Sequence, residues 1–325
     1  MGRGIALILT VTLNVALDRT VAVPRIALGN RHRAIDSRTA AGGKGVNVAR
    51  ALKSLGEPVI ATGFAAGPTG ARIRELLDAE AVLHDFVQVS GDSRTNLSIV
   101  DPTSGEQTEV NERGPQVDPV DLERFSARLA YLARGADFCV IAGSLPPGAE
   151  TDAYGELISQ LRAAGVPTLL DTDGEPMRAG LRAQPAVVAP NVAEAEEAVG
   201  HEFTDAEDLA AGLSGLIDMG AEEAIVTTGS GCVAIAGEAH ERTGFEATIE
   251  PLATVASVGS GDAFLAGYVS ARRAGRPPST CLAYGVACGA ESTQHLGAGM
   301  LDPLEVERLV DLVRVSRLDV AARVG

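Results

Sequence analysis

Tryptophan is absent from this 325-residue chain, and aromatic residues together make up only 3% of it. Base stacking on aromatic platforms therefore has little to draw on. Basic residues are scarce beside acidic ones, 27 Lys+Arg against 43 Asp+Glu, for a formal net charge of -16. Nucleic acid and anionic membrane both call for a basic footprint, so neither is an expected partner. Long apolar runs are missing too: none approaches the ~18 residues of a spanning helix. The N-terminal Met1–Thr10 carries one basic residue and an apolar stretch too short for a signal peptide, so it reads as a first strand. A cytoplasmic location is the expectation. Cysteine is sparse, with 4 residues at Cys139, Cys232, Cys281 and Cys288. No pair has zinc-ligand or thioredoxin spacing, which leaves reduced thiols in or near the core.

What is present is apolar residues, 46% of the chain, in a regular pattern. Short β-rich runs at Ile5–Leu13, Val59–Phe64, Val82–Val89, Phe138–Ala142, Val166–Leu170, Ala186–Ala189 and Ala224–Thr228 read as strands. Between and after them, Gly70–Glu80, Leu122–Ala133, Tyr154–Ala164, Leu209–Met219, Thr280–Gln294 and Pro303–Val315 read as helices. Such alternation predicts an α/β fold, a mainly parallel sheet covered by helices on both faces. No repeat or long linker divides the chain, so residues 1–325 are expected to form a single domain. Two segments, about 14–40 and 90–113, break the alternation. The second holds paired strands, Thr95–Val100 and Gln107–Asn111, around the turn Asp101–Gly105, and together the two segments predict a small β-sheet lid. Polar or glycine residues follow strand after strand, at Asn14, Gly63, Ser144, Asp171, Asn191, Gly229 and Gly259. In open α/β sheets that edge is where ligands bind.

Two stretches carry chemistry. In Thr254–Tyr268 an apolar β-branched run, read as the end of a strand, breaks at Gly259-Ser260-Gly261 and continues from Asp262 into a helix. A glycine turn opening a helix leaves amides free for an anion. Asp262 is then either a helix cap or a proton acceptor beside a phosphoryl group held by those amides. In Ala41–Leu52, Gly42, Gly43 and Gly45 permit close backbone approach, and Lys44 and Asn47 occupy the first turn of a helix. A cation there opposes the helix dipole unless an anion or polar ligand is bound. The spacing excludes a Walker loop. From Asp18 to Lys44 there are six basic residues and two acidic ones, readable either as an attractor of small anions or as a solvated face.

Seven landmarks in order, Thr10–Asp18, Gly42–Asn47, Ser93–Asn96, Glu106–Asn111 running on to Gly114-Pro115, Ala142–Pro146, Pro190–Glu194 and Val258–Asp262, resemble the ribokinase-like (PfkB) carbohydrate kinases. Within that family they look most like the 1-phosphofructokinase and tagatose-6-phosphate kinase branch. The resemblance spans nearly the whole chain. It implies a ribokinase-like fold and transfer of the γ-phosphoryl group of ATP, with Mg²⁺, to a hydroxyl of a phosphorylated ketohexose. Fructose 1-phosphate to fructose 1,6-bisphosphate is the leading reaction; tagatose 6-phosphate and fructose 6-phosphate are the alternatives, and a non-catalytic sugar-phosphate sensor is a reading of another class. On this resemblance Asp262 is the general base, and Gly259, Ser260 and Gly261 form the anion hole. Asp18, Gly43 and Asn47 contact sugar hydroxyls, Lys44 neutralises a phosphate, and Arg94 and Ser144 hold the phosphate already on the substrate. Asn191, Thr227, Thr228, Gly229 and Gly261 face the nucleotide, and Glu194 acts on the metal through water. A monovalent cation near Ser257 and His295 and a homodimer formed through the lid are further implications. Three positions depart from the family pattern: Val15 in place of Pro, Ala189 in place of Lys, and Cys232 in place of a final Gly. The last two bear on nucleotide affinity and choice.

Overall fold

The computed structural model describes residues 7–237 and 242–318. Ile5 and Ala6, expected at the start of the first strand, lie outside them. Ten strands form one sheet in the order β14-β13-β12-β11-β10-β9-β8-β1-β4-β5. Its parallel part comprises β1 (Leu7–Thr12), β4 (Val59–Ala66), β5 (Leu83–Val89), β8 (Ala136–Ala142), β9 (Thr168–Asp171), β10 (Val187–Val188) and β11 (Glu223–Thr228). An antiparallel extension follows through β12 (Gly231–Ala236), β13 (Thr243–Thr248) and β14 (Arg314–Leu318).

Successive strand residues point to opposite faces, and both faces are buried. Ile8, Val140, Leu169 and Val187 join one core cluster, packed against α1 (Lys44–Ser54), α2 (Gly67–Ala79), α8 (Ser260–Arg273), α9 (Pro278–Ser292) and α10 (Pro303–Val310). Their neighbours Leu9, Cys139, Ile141 and Leu170 face the other way, against α3 (Pro119–Ala133) and α4 (Ala153–Ala163). Val188, Ala224 and Val226 continue that second face under α5 (Gly174–Arg182), α6 (Val192–Val199) and α7 (Ala206–Asp218). Each such side chain contributes roughly 1.5–3 kcal/mol on burial, so the apolar run of every strand fixes both layers at once. All four cysteines are buried and free, as the spacing predicts.

Helix α8 is deeply enclosed, with every residue from Asp262 to Ala271 buried. It packs closely on α9 because the contact is made of glycine. A Cβ on Gly267 would sit 2.6 Å from Cys288 Sγ, and one on Gly285 would sit 2.9 Å from the Phe264 ring. At its last turn Arg272 pairs with buried Glu223 at 2.6 Å, and Tyr268 donates its hydroxyl to the same carboxylate at 2.7 Å. The helix that begins at Asp262 is therefore clamped at its far end.

A second sheet of four strands, β3-β2-β6-β7, stands apart from the first. It comprises β2 (Ala16–Ala22), β3 (Asp36–Gly42), β6 (Arg94–Val100) and β7 (Gln107–Asn111), the two segments that interrupt the alternation. β2 and β6 run parallel with Asp18 opposite Asn96, and β6 and β7 run antiparallel with Asn96 opposite Asn111. One cross-strand row therefore carries Asp18, Asn96 and Asn111 side by side.

Some expectations fail locally. Residues 254–258 form a loop rather than the end of a strand, because the Val255 and Ala256 amides both donate to Thr293 O and have no strand partner. The helix expected over Pro303–Val315 stops at Val310, and Arg314–Leu318 becomes the edge strand β14, whose alternating polar residues suit an exposed edge. Helix α5 and the β12–β13 pair are additional elements. Gly63 is no ligand contact. It lies inside β4, where a Cβ would come 1.8 Å from Thr12 O, so it serves close strand approach.

Candidate active site

A cleft of about 770 Å³ opens at the C-terminal ends of the parallel strands, with the small sheet along one side. All fifteen residues singled out in the sequence line it: Asp18, Gly43, Lys44, Asn47, Arg94, Ser144, Asn191, Glu194, Thr227, Thr228, Gly229, Gly259, Ser260, Gly261 and Asp262. Of the six basic residues between Asp18 and Lys44, only Lys44 is among the lining residues. Arg19, Arg25, Arg31 and Arg33 are exposed on the small sheet and its loop, as the solvated-face reading has it, whereas Arg38 is half-buried and donates to Leu296 O at 3.2 Å.

Asp262 is 6% exposed and sits in the first turn of α8. Asn47, from the first turns of α1, donates Nδ2–H to Asp262 Oδ2 at 2.9 Å. Burial first, then the nearby Asp171 carboxylate, push Asp262 up to about 7, against the pull of Lys44 and of the Asn47 hydrogen bond. Gly259 makes the turn in left-handed geometry (φ 78°), and a Cβ there would strike the Ala298 Cβ at 2.3 Å. Ser260 N–H donates to Ser257 O and Ala263 N–H to Gly259 O. The amides of Gly261 and Asp262 have no protein acceptor among the described residues, as expected in the first turn of a helix. Open space surrounds the Gly261 Cα. A carboxylate that can exchange a proton near neutral pH thus stands beside amides free to receive an anion.

The sugar-reading candidates gather where β2 and β6 meet α1. Asp18 accepts Nδ2–H of Asn96 at 2.9 Å. Burial raises its pKa, opposed by the Asn96 hydrogen bond, by Arg94 and by the Gly43 amide. Gly42 matters for space: a Cβ there would lie 1.9 Å from Asp18 Oδ2. Arg94 is held by two backbone carbonyls, donating Nε–H to Asn14 O at 3.1 Å and Nη1–H to Glu112 O at 3.4 Å. Asn14 in turn donates Nδ2–H to Ser144 Oγ at 3.4 Å, which ties the loop after β1 to the loop after β8. Asn47 Oδ1, Asn96 Oδ1 and Gln107 Oε1 are buried without a donor. Such acceptors are costly to leave unmade, and a polyhydroxylated ligand carries the donors they lack.

Across the cleft, Lys44 Nζ is 3.0 Å from Asp171 Oδ1 and 3.0 Å from Glu194 Oε1. Burial favours neutral Lys44, but Asp171, Glu194 and Asp262 outweigh it and keep the ammonium charged. Asn191 caps α6 in a reciprocal box. Its Oδ1 accepts Glu194 N–H at 3.0 Å, and its own N–H donates to Glu194 Oε2 at 2.9 Å. Glu194 therefore caps the helix with one oxygen and meets Lys44 with the other.

Thr227 and Thr228 end β11, and Gly229 begins the turn to β12. They border both the main cleft and a side cavity of about 190 Å³ whose wall combines Ile249, Leu252, Phe264 and Val286 with Glu250, Thr254 and Thr293. Ala189 also lines the cleft, without charge. Cys232 does not. It is buried opposite Thr227 in the β11–β12 pair.

No three His, Cys, Asp or Glu side chains converge as a metal cage among the described residues. Glu194 and Asp171, two carboxylates around one lysine, fit a Mg²⁺ that arrives on phosphate oxygens and keeps most of its waters. Asn96, Gln107 and Asn111 line the cleft without having been assigned roles from the sequence. Asn96 closes one of the seven landmarks and Asn111 another, which is the signal that could have found them.

Residues 11–304 match the pfkB family of carbohydrate kinases. The chain is 35% identical over 318 residues to a 1-phosphofructokinase of Rhodobacter capsulatus, covering 94% of this chain and 96% of that one. It is 33% identical over 268 residues to a tagatose-6-phosphate kinase of Staphylococcus epidermidis, covering 81% and 84%. Phosphofructokinase-2 of Escherichia coli, solved in complex with potassium, superposes with a TM-score of 0.85 at 26% identity over 94% of this chain and 98% of that one. Other structures of that protein are described as a complex with fructose-6-phosphate and as a tetrameric inhibited form.

Proposed function

This chain belongs to the pfkB family of carbohydrate kinases, phosphotransferases acting on a sugar hydroxyl, and from that premise we propose that it phosphorylates a phosphorylated ketohexose with ATP, fructose 1-phosphate before tagatose 6-phosphate or fructose 6-phosphate. The observation that carries this reading is Asp262, buried, held at about 7 and bonded to Asn47, beside the free amides of Gly261 and Asp262.

Phosphoryl transfer asks a protein for positioning and charge stabilisation. Asp262 accepts the proton of the acceptor hydroxyl as that oxygen bonds to the γ-phosphorus and the bond to the ADP oxygen breaks. The α8 amides receive charge on the transferring group. Asp18, Asn47 and Asn96 hold sugar hydroxyls, with Gly43 letting the backbone approach. Arg94, already oriented by two carbonyls, and Ser144 take the phosphate present on the substrate. Thr227, Thr228 and Gly229 border the nucleotide, whose base enters the side cavity against Ile249, Leu252 and Phe264. Asn191 orients Glu194, which would hold Mg²⁺ through water, and the bound ion would supply charge neutralisation at the phosphate oxygens.

Two further parts of the reading have local support. The loops around Ser257 and His295 are stitched together, with Val255 N–H on Thr293 O at 2.8 Å and Gln294 Nε2–H on Ala253 O at 2.8 Å. A monovalent cation beside these loops belongs to the same reading. Val110 (56%) of the small sheet and Ile35 (68%), in the loop just before β3, expose apolar surface that pairing of two lids in a homodimer would cover.

A coupled assay for ADP with ATP, Mg²⁺ and a panel of phosphorylated and unphosphorylated ketohexoses tests the proposal. Turnover should be highest on fructose 1-phosphate. Binding without turnover across the panel would convert the reading to that of a sensor.

A further inference from the structure

A second cavity, of about 1080 Å³, shares no lining residue with the catalytic cleft. It lies at the opposite ends of the same elements. Glu223 opens β11, whose last residues border the nucleotide side, and Arg272 sits in the last turn of α8, whose first turn carries Asp262.

Four guanidinium groups line this cavity, those of Arg242, Arg272, Arg276 and Arg317. Arg272 is committed to Glu223 and Tyr268, at 2.6 and 3.0 Å. The other three make no hydrogen bond or ion pair with any described residue. The chain carries 43 acidic residues against 27 basic ones, so carboxylate partners are abundant, and Arg72, Arg124, Arg128, Arg178 and Arg308 all have one. Arg242, Arg276 and Arg317 line one cavity with no carboxylate partner among the described residues. Among the described residues, the only carboxylates lining the cavity are Glu223, already neutralised by Arg272, and Glu222. Helix α9 also starts here, capped by Pro277 without a side-chain hydrogen bond, and Ser279 and Thr280 bring hydroxyls to the wall. Phe245, Val310 and Val315 supply an apolar surface. The space is larger than a bare anion needs and within reach of the size of small-molecule sites.

We propose that this cavity is a second anion site, for a small phosphorylated organic molecule whose phosphate meets Arg242, Arg276 and Arg317 and whose carbon body lies on Phe245 and Val315. Several guanidinium forks lining one cavity match the multiple acceptors of a phosphate dianion better than the single edge of a carboxylate. The site stands independently of the kinase reading, because none of its residues belongs to the cleft.

The test is calorimetric titration of the full chain with pyrophosphate at low salt, with citrate as the non-phosphate control. The wild-type protein should bind pyrophosphate, and Arg276→Ala/Arg317→Ala should lose at least one equivalent or weaken it tenfold or more. Arg276→Lys/Arg317→Lys, which keeps the charge and loses the fork, should fall between the two. Arg94→Ala, changed in the cleft, should retain that equivalent, and sugar turnover by the double alanine variant without pyrophosphate should stay within twofold of wild type. Unchanged pyrophosphate binding in the double variant overturns the site. So does a loss seen only with Arg94→Ala, and tighter binding of citrate overturns the phosphate assignment.

Discussion

Asn47 and Asp262, 215 residues apart in the chain, meet through one hydrogen bond of 2.9 Å that joins the opening turns of two helices. Asn47 gives the carboxylate a donor in a place where burial and a second carboxylate both disfavour its charge. On the proposed reading, the pair sets where a proton leaves the substrate and at what pH.

Replacing Asp262 by Asn keeps the shape and removes the proton acceptor. kcat should fall by roughly 10² to 10⁴-fold, while the KM for sugar changes little. Steady-state kinetics of the variant decide this, and an unaltered kcat would remove Asp262 from the role of base.

The working form of a base is the ionised one, so kcat/KM should rise with pH through about 7 and level off above it. Asn47→Ala deletes a donor to the ionised carboxylate and should move that limb to higher pH. A pH–rate profile of the two proteins reads the shift directly.

The same titration sets a stability cost. Asp262 ionises near its ordinary value of 3.8 when unfolded and at about 7 when folded. Between those values the folded state holds a proton that the unfolded state has lost, so stability falls as pH rises and the full penalty is present above about 7. That penalty is on the order of a few kcal/mol. Asp262→Asn should therefore raise Tm at pH 8 by several degrees, with the gain vanishing by about pH 4. Thermal unfolding at the two pH values measures it.

Arg94→Ala should raise the KM for phosphorylated ketohexoses by about tenfold or more, the scale of a lost charge-assisted contact, and leave nucleotide KM within twofold. An equal effect on unphosphorylated sugars would assign Arg94 to the lid's structure instead.

Gly42→Ala places a methyl group 1.9 Å from Asp18 Oδ2. The carboxylate must swing away from Asn96 and the Gly43 amide. Sugar binding should weaken by two orders of magnitude or so, with a stability loss of roughly 1–3 kcal/mol. A circular dichroism melt and a sugar titration separate the two effects.

Much of this was legible in the residues, because strand-forming runs buried on both faces have few alternatives and their polar ends must surface on one edge. What escaped was set by partners distant in sequence. Val255 looks like strand by its branching, yet its amide is claimed by Thr293. Arg314–Leu318 looks too polar for a strand, yet β13 offers an open edge to pair with. Gly42 was read as backbone freedom, but its purpose is to leave room for Asp18. Asp171 was visible as the polar end of a strand. Its link with Lys44 and Glu194 needed three elements to be brought together.

That trio has a consequence for what can enter the cleft. With both carboxylates ionised it is a net anion, so a naked triphosphate meets repulsion where one lysine alone would have welcomed it. A nucleotide already wearing a divalent ion brings its own counter-charge, and the two acids then become an asset. On the proposed reading, the trio therefore favours a metal-escorted donor over a bare triphosphate, because the cation there already has company.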